Sequence, residues 1–389
     1  MKRYGSAFFI FASISILLIA CQPAPETPAP ASPPATPTAF ASPPPSPTST
    51  AVPITPTTTP KSIFAPSETI DANLLHRVPA GFVSALPEGL AMDVYQMAGL
   101  PDTDEGYEPI LAALGAQSRI NALTQGRYYW DTVDLAQMEL DNAALAPFGY
   151  RLASRPVGPD TGARWFTLYR GDQVILDPIT ELGPVSVNHS GTDFALLVQG
   201  SSQFQLVRKD SLEEWAYIAG GITHSRPQFL GDDLTYVRVN AETLTATPST
   251  PGLGNSLDVF RNGQVIYTAR YFDRPAASGL IGFWTFGEHW ALETVGRIVI
   301  DGQDLNAVNG YDASYEFHLL GGKPLFFFEQ AGKLNVSYDG RTAVLPFQSV
   351  PHYGCCSGGM ENPLQMGDQL MLLYASQGGN WFYIELAAP

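Results

Sequence analysis

One hairpin recurs through this chain. It reads FTLYRGDQVIL from Phe166, FQLVRKDSLEEW from Phe204, LDVFRNGQVIYTA from Leu257, RIVIDGQDLNAV from Arg297 and KLNVSYDGRTAVL from Lys333. The turn centres are about 39 residues apart, except for one longer step that holds NAETLTATPSTPGLGNS, a loop insertion. Asn262-Gly263, Asp301-Gly302 and Asp339-Gly340 reach positive φ easily and suit two-residue turns. A second hairpin alternates with the first: SVNHSGTDFALLV, QFLGDDLTYVRV, FWTFGEHWALETV, FHLLGGKPLFFFEQ and LQMGDQLMLLYAS each join a strand to a strongly apolar one through a glycine turn. Two hairpins per unit of about 40 residues make a four-stranded antiparallel sheet. Strands apolar on both faces need a neighbouring sheet on each side, and a repeat of this period meets that need as a β-propeller. The expectation is therefore an all-β fold of about six four-stranded blades over 147–389. Five units begin at Pro184, Gln228, Gly279, Tyr315 and Asn362, and a further one is supplied by FGYRLASR with RWFTLYRGDQVIL.

The segment VSVNHSGTDFALLVQGSSQFQLVRKDS resembles the WD40-like repeat of TolB-type propellers, in which a tight turn separates two strands and an apolar strand follows. His189 and Ser190 stand where that family has Pro-Asp, and no Trp-Asp pair is present. The resemblance covers 164–389 and implies architecture; propellers carry many functions.

The N-terminal part is of a different kind. Lys2 and Arg3 precede an apolar run, Ala7 to Ala20, that is short for a membrane-spanning helix and ends in LIAC. This resembles the lipobox of bacterial lipoproteins. The resemblance implies a signal peptide over 1–20, cleavage before Cys21, and lipidation of Cys21 on the extracytoplasmic side of the cell membrane. Proline supplies 14 of the 39 residues after Cys21, so 21–60 is expected to be a disordered Pro/Thr-rich tether with an extended limit on the order of 120 Å. The stretch 61–146 contains two helix-forming segments, YEPILAALGAQSRINAL and DTVDLAQMELDNAALA, and is expected to be a small, partly helical subdomain. In the second segment Leu135, Met138, Asn142 and Leu145 share one helical face.

Charge narrows the range of partners. Without Lys2 and Arg3, 19 basic residues face 37 acidic ones, a net −18 that opposes nucleic acid. The expected partners are the membrane, through the lipid anchor, and a cell-wall glycan or an envelope protein. No G-x-S-x-G, H-E-x-x-H, P-loop or C-x-x-C pattern is present, and no cofactor or metal is expected.

In a propeller, the turns within both hairpins lie on one face and the loops joining hairpins and blades lie on the other. The second face receives His224, Arg226, Tyr271, Arg274, Tyr311, Asp312, His352, Tyr353 and Asn362, a set of aromatic and polar groups suited to binding. Each of them also suits a purely covering role at the ends of the core. The same face carries VPHYGCCSGGMENP. Cys355 and Cys356 can form a strained vicinal disulfide, which the flanking glycines permit, or remain two thiols. With His352 and Met360 they are also soft metal ligands, although adjacent side chains diverge, and a nucleophile reading lacks a placed base. The function expected is non-catalytic binding of a ligand or protein on the loop face. The alternatives are a glycan-active hydrolase or lyase, and a structural envelope scaffold.

Overall fold

A computed structural model describes residues 74–79, 81–99, 107–116, 135–157, 164–200, 203–216, 224–239, 255–271, 279–352 and 362–388. The chain divides into two compact units, Met1–Thr55 and Pro56–Pro389, and all described residues belong to the second.

Six antiparallel sheets follow one another along the described chain. Blade 1 comprises β3 (Tyr150–Pro156), β4 (Arg164–Arg170) and β5 (Gln173–Ile179). Blade 2 comprises β6 (Glu181–Leu182), β7 (Ser186–Val187), β8 (Phe194–Gln199), β9 (Gln203–Arg208) and β10 (Leu212–Ala216). Blade 3 has β11 (Gln228–Leu230), β12 (Asp233–Val239), β13 (Asn255–Arg261) and β14 (Gln264–Tyr271). Blade 4 has β15 (Leu280–Phe286), β16 (His289–Thr294), β17 (Arg297–Ile300) and β18 (Gln303–Asp304). Blade 5 has β19 (Ala313–Leu320), β20 (Lys323–Gln330), β21 (Lys333–Tyr338) and β22 (Arg341–Val344). Blade 6 has β23 (Leu364–Met366), β24 (Leu370–Gln377) and β25 (Asn380–Ala387). The order is that of an all-β propeller, successive blades being built from successive stretches of chain.

Blade 6 takes its fourth strand from far away in the sequence. Strand β2 (Ala91–Met97) pairs antiparallel with β25, Val94 opposite Ile384, and β1 (Leu75–Arg77) adds a fifth strand outside it. The residues expected in a separate subdomain over 61–146 thus complete the last blade, because the outer edge of β25 would otherwise leave its backbone groups unpaired. Helices do occur in that stretch: α1 (Glu108–Ala113) and α2 (Leu135–Leu145), the latter running into a 3-10 turn at Ala146–Phe148.

Neighbouring blades meet through apolar side chains. Phe194 and Leu196 join blade 2 to Phe166 and Leu168 of blade 1, and Trp215 of blade 2 packs on Tyr236 of blade 3. Val259 and Leu292 belong to the seam of blades 3 and 4, Ile298 and Phe317 to that of blades 4 and 5, and Phe327 and Leu373 to that of blades 5 and 6. The other face of blade 6 is covered by α1, where Tyr107 and Leu111 are buried against Leu372, Tyr374 and Tyr383.

Among the described residues blade 1 has three strands, and α2 takes over at its inner edge. The Asn142 amide accepts from Leu152 N (2.6 Å) and donates to Leu152 O (3.1 Å), as a neighbouring strand would. Asp141 accepts from Val185 N (3.1 Å), between β6 and β7. Met138 and Leu145 pack beneath, with Asn142 on the same helical face as the spacing predicts. The outer face of blade 1 is polar: Arg151 lies over Tyr169 (3.8 Å), Arg155 over Trp165 (5.4 Å), and Arg155 pairs with Asp177 (2.9 Å).

Candidate functional site

Two-residue turns serve both faces of the propeller, at 262–263, 301–302 and 339–340 on one and at 295–296, 331–332 and 378–379 on the other. Asn262, Asp301 and Asp339 have φ of 50, 49 and 51° and are each followed by a glycine at positive φ, so these hairpin turns are as short as the dipeptides permit. On the other face, the connections 217–223, 240–254, 272–278 and 353–361 lie outside the described residues. Arg274, Tyr353, Cys355 and Cys356 fall within them, as Cys21 falls within the first unit. Tyr271 closes β14, with its backbone opposite Asn255.

The described candidates divide into those that present a side chain to solvent and those that hold the rim together. Arg226 is exposed. Its backbone is fixed by Ser225, whose N–H donates to Val237 O (2.9 Å) and whose Oγ accepts from Val237 N (2.9 Å). Asp312 is exposed as well, and its Oδ2 accepts from Ala331 N (2.9 Å), anchoring the turn between β20 and β21. Tyr311 is half-buried with its ring stacked on Phe328 at 3.9 Å, and burial pushes its phenol up from the ordinary range. It follows α3 (Leu305–Asn309), which Asp304 caps by accepting from Asn306 N (2.9 Å) and which Gly310 ends at φ 70°.

The other three are packing groups. His224 bridges to Arg238 and wedges its ring against Phe204 (4.1 Å) and Trp215 (5.7 Å). Burial pushes its imidazole down to about 4, with the Arg238 charge acting in the same direction. Asn362 is buried; its Oδ1 accepts from Tyr107 Oη (2.5 Å) and Tyr374 N (2.7 Å), and its Nδ2 donates to Pro351 O (2.5 Å). His352 stacks on Tyr315 at 3.7 Å with the rings 6° from parallel. Loop 353–361 therefore springs from a closed base, its entry fixed by His352 on β19 and its exit tied to Pro351 by Asn362. Tyr311 and Asp312 sit together beside the turn of blade 5, while Arg226 belongs to the connection between blades 2 and 3.

The sequence reading did not single out the polar groups that link neighbouring blades. Gln228 Nε2 donates to Phe283 O (2.7 Å) and its Oε1 accepts from Thr285 N (3.0 Å). The buried Glu293 carboxylate accepts from Glu316 N (2.6 Å) and Phe317 N (2.8 Å). The available signal is a carboxylate that directly follows an apolar run, as Glu293 follows Trp290, Ala291 and Leu292. Among the described residues, no group of three or more His, Cys, Asp or Glu side chains is placed to hold a metal ion.

No protein-family model matches the sequence, and no curated protein matches it. Among solved structures, the chain is similar to the acylaminoacyl peptidase of Pyrococcus horikoshii at 11% identity, over 59% of this chain and 43% of that one, with a TM-score of 0.29. It is similar to the β-propeller domain of the trilobed protease from Pyrococcus furiosus at 11% identity, over 60% and 75% of the two chains, TM-score 0.28. The Swd1 propeller of Myceliophteria thermophila gives 9% identity over 61% and 93%, TM-score 0.22. The chain thus covers less than half of the first of these proteins. At such scores the likeness carries no argument of its own, and the propeller assignment rests on the strand order of the six sheets.

Proposed function

We propose that this chain is an extracytoplasmic lipoprotein, anchored through Cys21, whose propeller binds a ligand or protein partner non-catalytically on its loop face. The observation that supports this reading is that exposed Arg226 and Asp312 and half-exposed Tyr311 stand on fixed backbones on the loop face. A rigid scaffold that displays side chains from its connections is the usual architecture of a recognition surface. Among the described residues no helix is long and apolar enough to cross a membrane, and the lipidated cysteine is the attachment this reading requires.

Retention on purified cell-wall sacculi and on solubilised envelope protein tests the site. Arg226→Glu should reduce retention at least tenfold with the melting temperature unchanged. Equal retention of the variant on both, or turnover of the glycan by the wild-type chain, would overturn the reading. The anchor is tested separately by intact mass of protein from the membrane fraction, where an unmodified Cys21 would refute it.

A further inference from the structure

One arginine of the loop face stands apart from the rest. Acidic residues outnumber basic ones by 37 to 21 in this chain, so carboxylates are in ample supply for every guanidinium. Among the described residues, ten arginine side chains are held by a carboxylate, a hydroxyl or an aromatic ring. Arg226 is the exception among them. It is exposed, and its guanidinium makes no hydrogen bond, ion pair or ring contact with the described residues.

The backbone beneath Arg226 is fixed from several sides. His224 bridges to Arg238 and Gln228 pairs with Thr235, so the three residues 225–227 face only Tyr236 and Val237 of β12. One residue is surplus, and the chain enters blade 3 through a bulge, an irregularity that re-aims a side chain. Ser225 sets its shape: the hydroxyl that accepts from Val237 N donates in turn to Arg226 O (3.1 Å). Pro227 is buried and has no N–H to leave unpaired. Ser186 Oγ of blade 2 donates to Pro227 O (3.1 Å), and the Gln228 amide reaches Phe283 O and Thr285 N of blade 4. Three consecutive blades therefore grip the bulge that carries Arg226.

We propose that Arg226 is the seat for an oxyanion of the partner, a carboxylate or phosphate group taken by the guanidinium fork through two parallel N–H···O bonds. This deepens the reading of the loop face as a recognition surface and rests on it. A planar fork with fixed donor directions matches two oxygens of one acid group, which an ammonium does not. An exposed ion pair gains little when both side chains must be ordered from loose backbones; here the backbone is already held by blades 2, 3 and 4, which removes part of that cost. The net charge of −16 repels anions at long range, so the attraction is short-range and depends on the fork rather than on a broad basic field.

The first test is a titration of full-length protein labelled at arginine nitrogen and followed through the Nε–Hε signals, with Arg226 assigned by the signal lost in Arg226→Lys. Sodium acetate and inorganic phosphate are the probes, against sodium chloride at equal ionic strength. At least one of them should shift the Arg226 signal saturably and beyond any shift of the paired arginines, and the anion that does so identifies the acid group. A linear response, or one shared by the paired arginines, would overturn the proposal. In the retention assay on sacculi and envelope protein, Arg226→Lys keeps the charge and loses the fork. It should bind about tenfold more weakly than wild type, the smallest loss expected of one charge-assisted hydrogen bond. Amidating the carboxylates of the retaining material, or removing its phosphate, should abolish that difference. Equal retention of Arg226→Lys and a retained wild type would overturn the proposal as well. A saturable Arg226 shift with no retention of wild type on either material would refute the reading of the face and leave the oxyanion seat standing; retention without that shift would refute the seat alone.

Discussion

The two end blades solve the same problem in opposite ways. Blade 6 borrows β2, pairs it with β25, and buries its remaining face under α1, so that Leu372, Tyr383 and Leu386 are fully enclosed. Blade 1, among the described residues, gains no fourth strand, substitutes the Asn142 amide for one at Leu152, and leaves Trp165 and Val174 36% and 51% exposed on its outer face. A sheet can thus end by acquiring more chain or by becoming polar. In this molecule the first solution buries both faces of blade 6, and the second leaves blade 1 to a helix and a row of arginine–aromatic contacts.

That contrast can be broken experimentally. The largest effect is expected at Leu111, fully buried where α1 covers blade 6: Leu111→Ala should cost about 3 kcal/mol through lost burial and a residual cavity, measured by denaturant unfolding. A loss below about 1 kcal/mol would mean that α1 is not what closes this blade. Acid provides an internal reference at the seam of blades 2 and 3. Because burial pushes His224 down to about 4, its neutral form is favoured in the fold, and the stability it contributes is complete above about pH 6.5 and is lost as pH falls toward 4. Allowing for partial solvent contact, the loss should be about 2 kcal/mol, and His224→Phe should abolish that portion of the pH dependence.

Asn142→Ala should cost about 1–2 kcal/mol, since it leaves the Leu152 N–H and C=O without their partner at the strand edge. Hydrogen exchange at Leu152 should accelerate with it; unchanged protection would show that the helix is not acting as an edge strand. The smallest effect belongs to Trp165→Ala, which removes a ring from a solvent-facing row and should cost less than about 1 kcal/mol. A penalty comparable to Leu111→Ala would show that blade 1 has a covered face after all, and the contrast between the end blades would fail.

The sequence shows the local part of this design clearly. Asn262-Gly263, Asp301-Gly302 and Asp339-Gly340 form the turns their dipeptides specify, because positive φ is a property of the residues themselves. The helical face of Met138, Asn142 and Leu145 is legible for the same reason, a 3.6-residue spacing that needs no partner to be seen. The pairing of β2 with β25 is not legible, because nothing in AMDVYQM distinguishes the edge of a distant sheet from a strand of a separate subdomain. His224 and Asn362 show the limit at the candidate site. Their positions in inter-blade connections are correct, but whether such a side chain points out or in depends on Phe204, Trp215, Tyr107 and Tyr374, contributed by other segments. Arg226 and Asp312 stay outside, where a charged side chain finds water without needing a partner.

The attachment of β1 to β2 has a mechanical consequence. Among the described elements, a pull from the N-terminal side meets β1 first, a strand of three residues at the outer edge of the last blade. Antiparallel hairpins yield bond by bond under such a load, so β1 acts as a short fuse that opens and lengthens the lead. The load then meets β2, whose six paired positions along β25 lie inside the sheet and act as the stop. Strand β2 is therefore also the place where the last blade's resistance to a pull from its N-terminal side is decided.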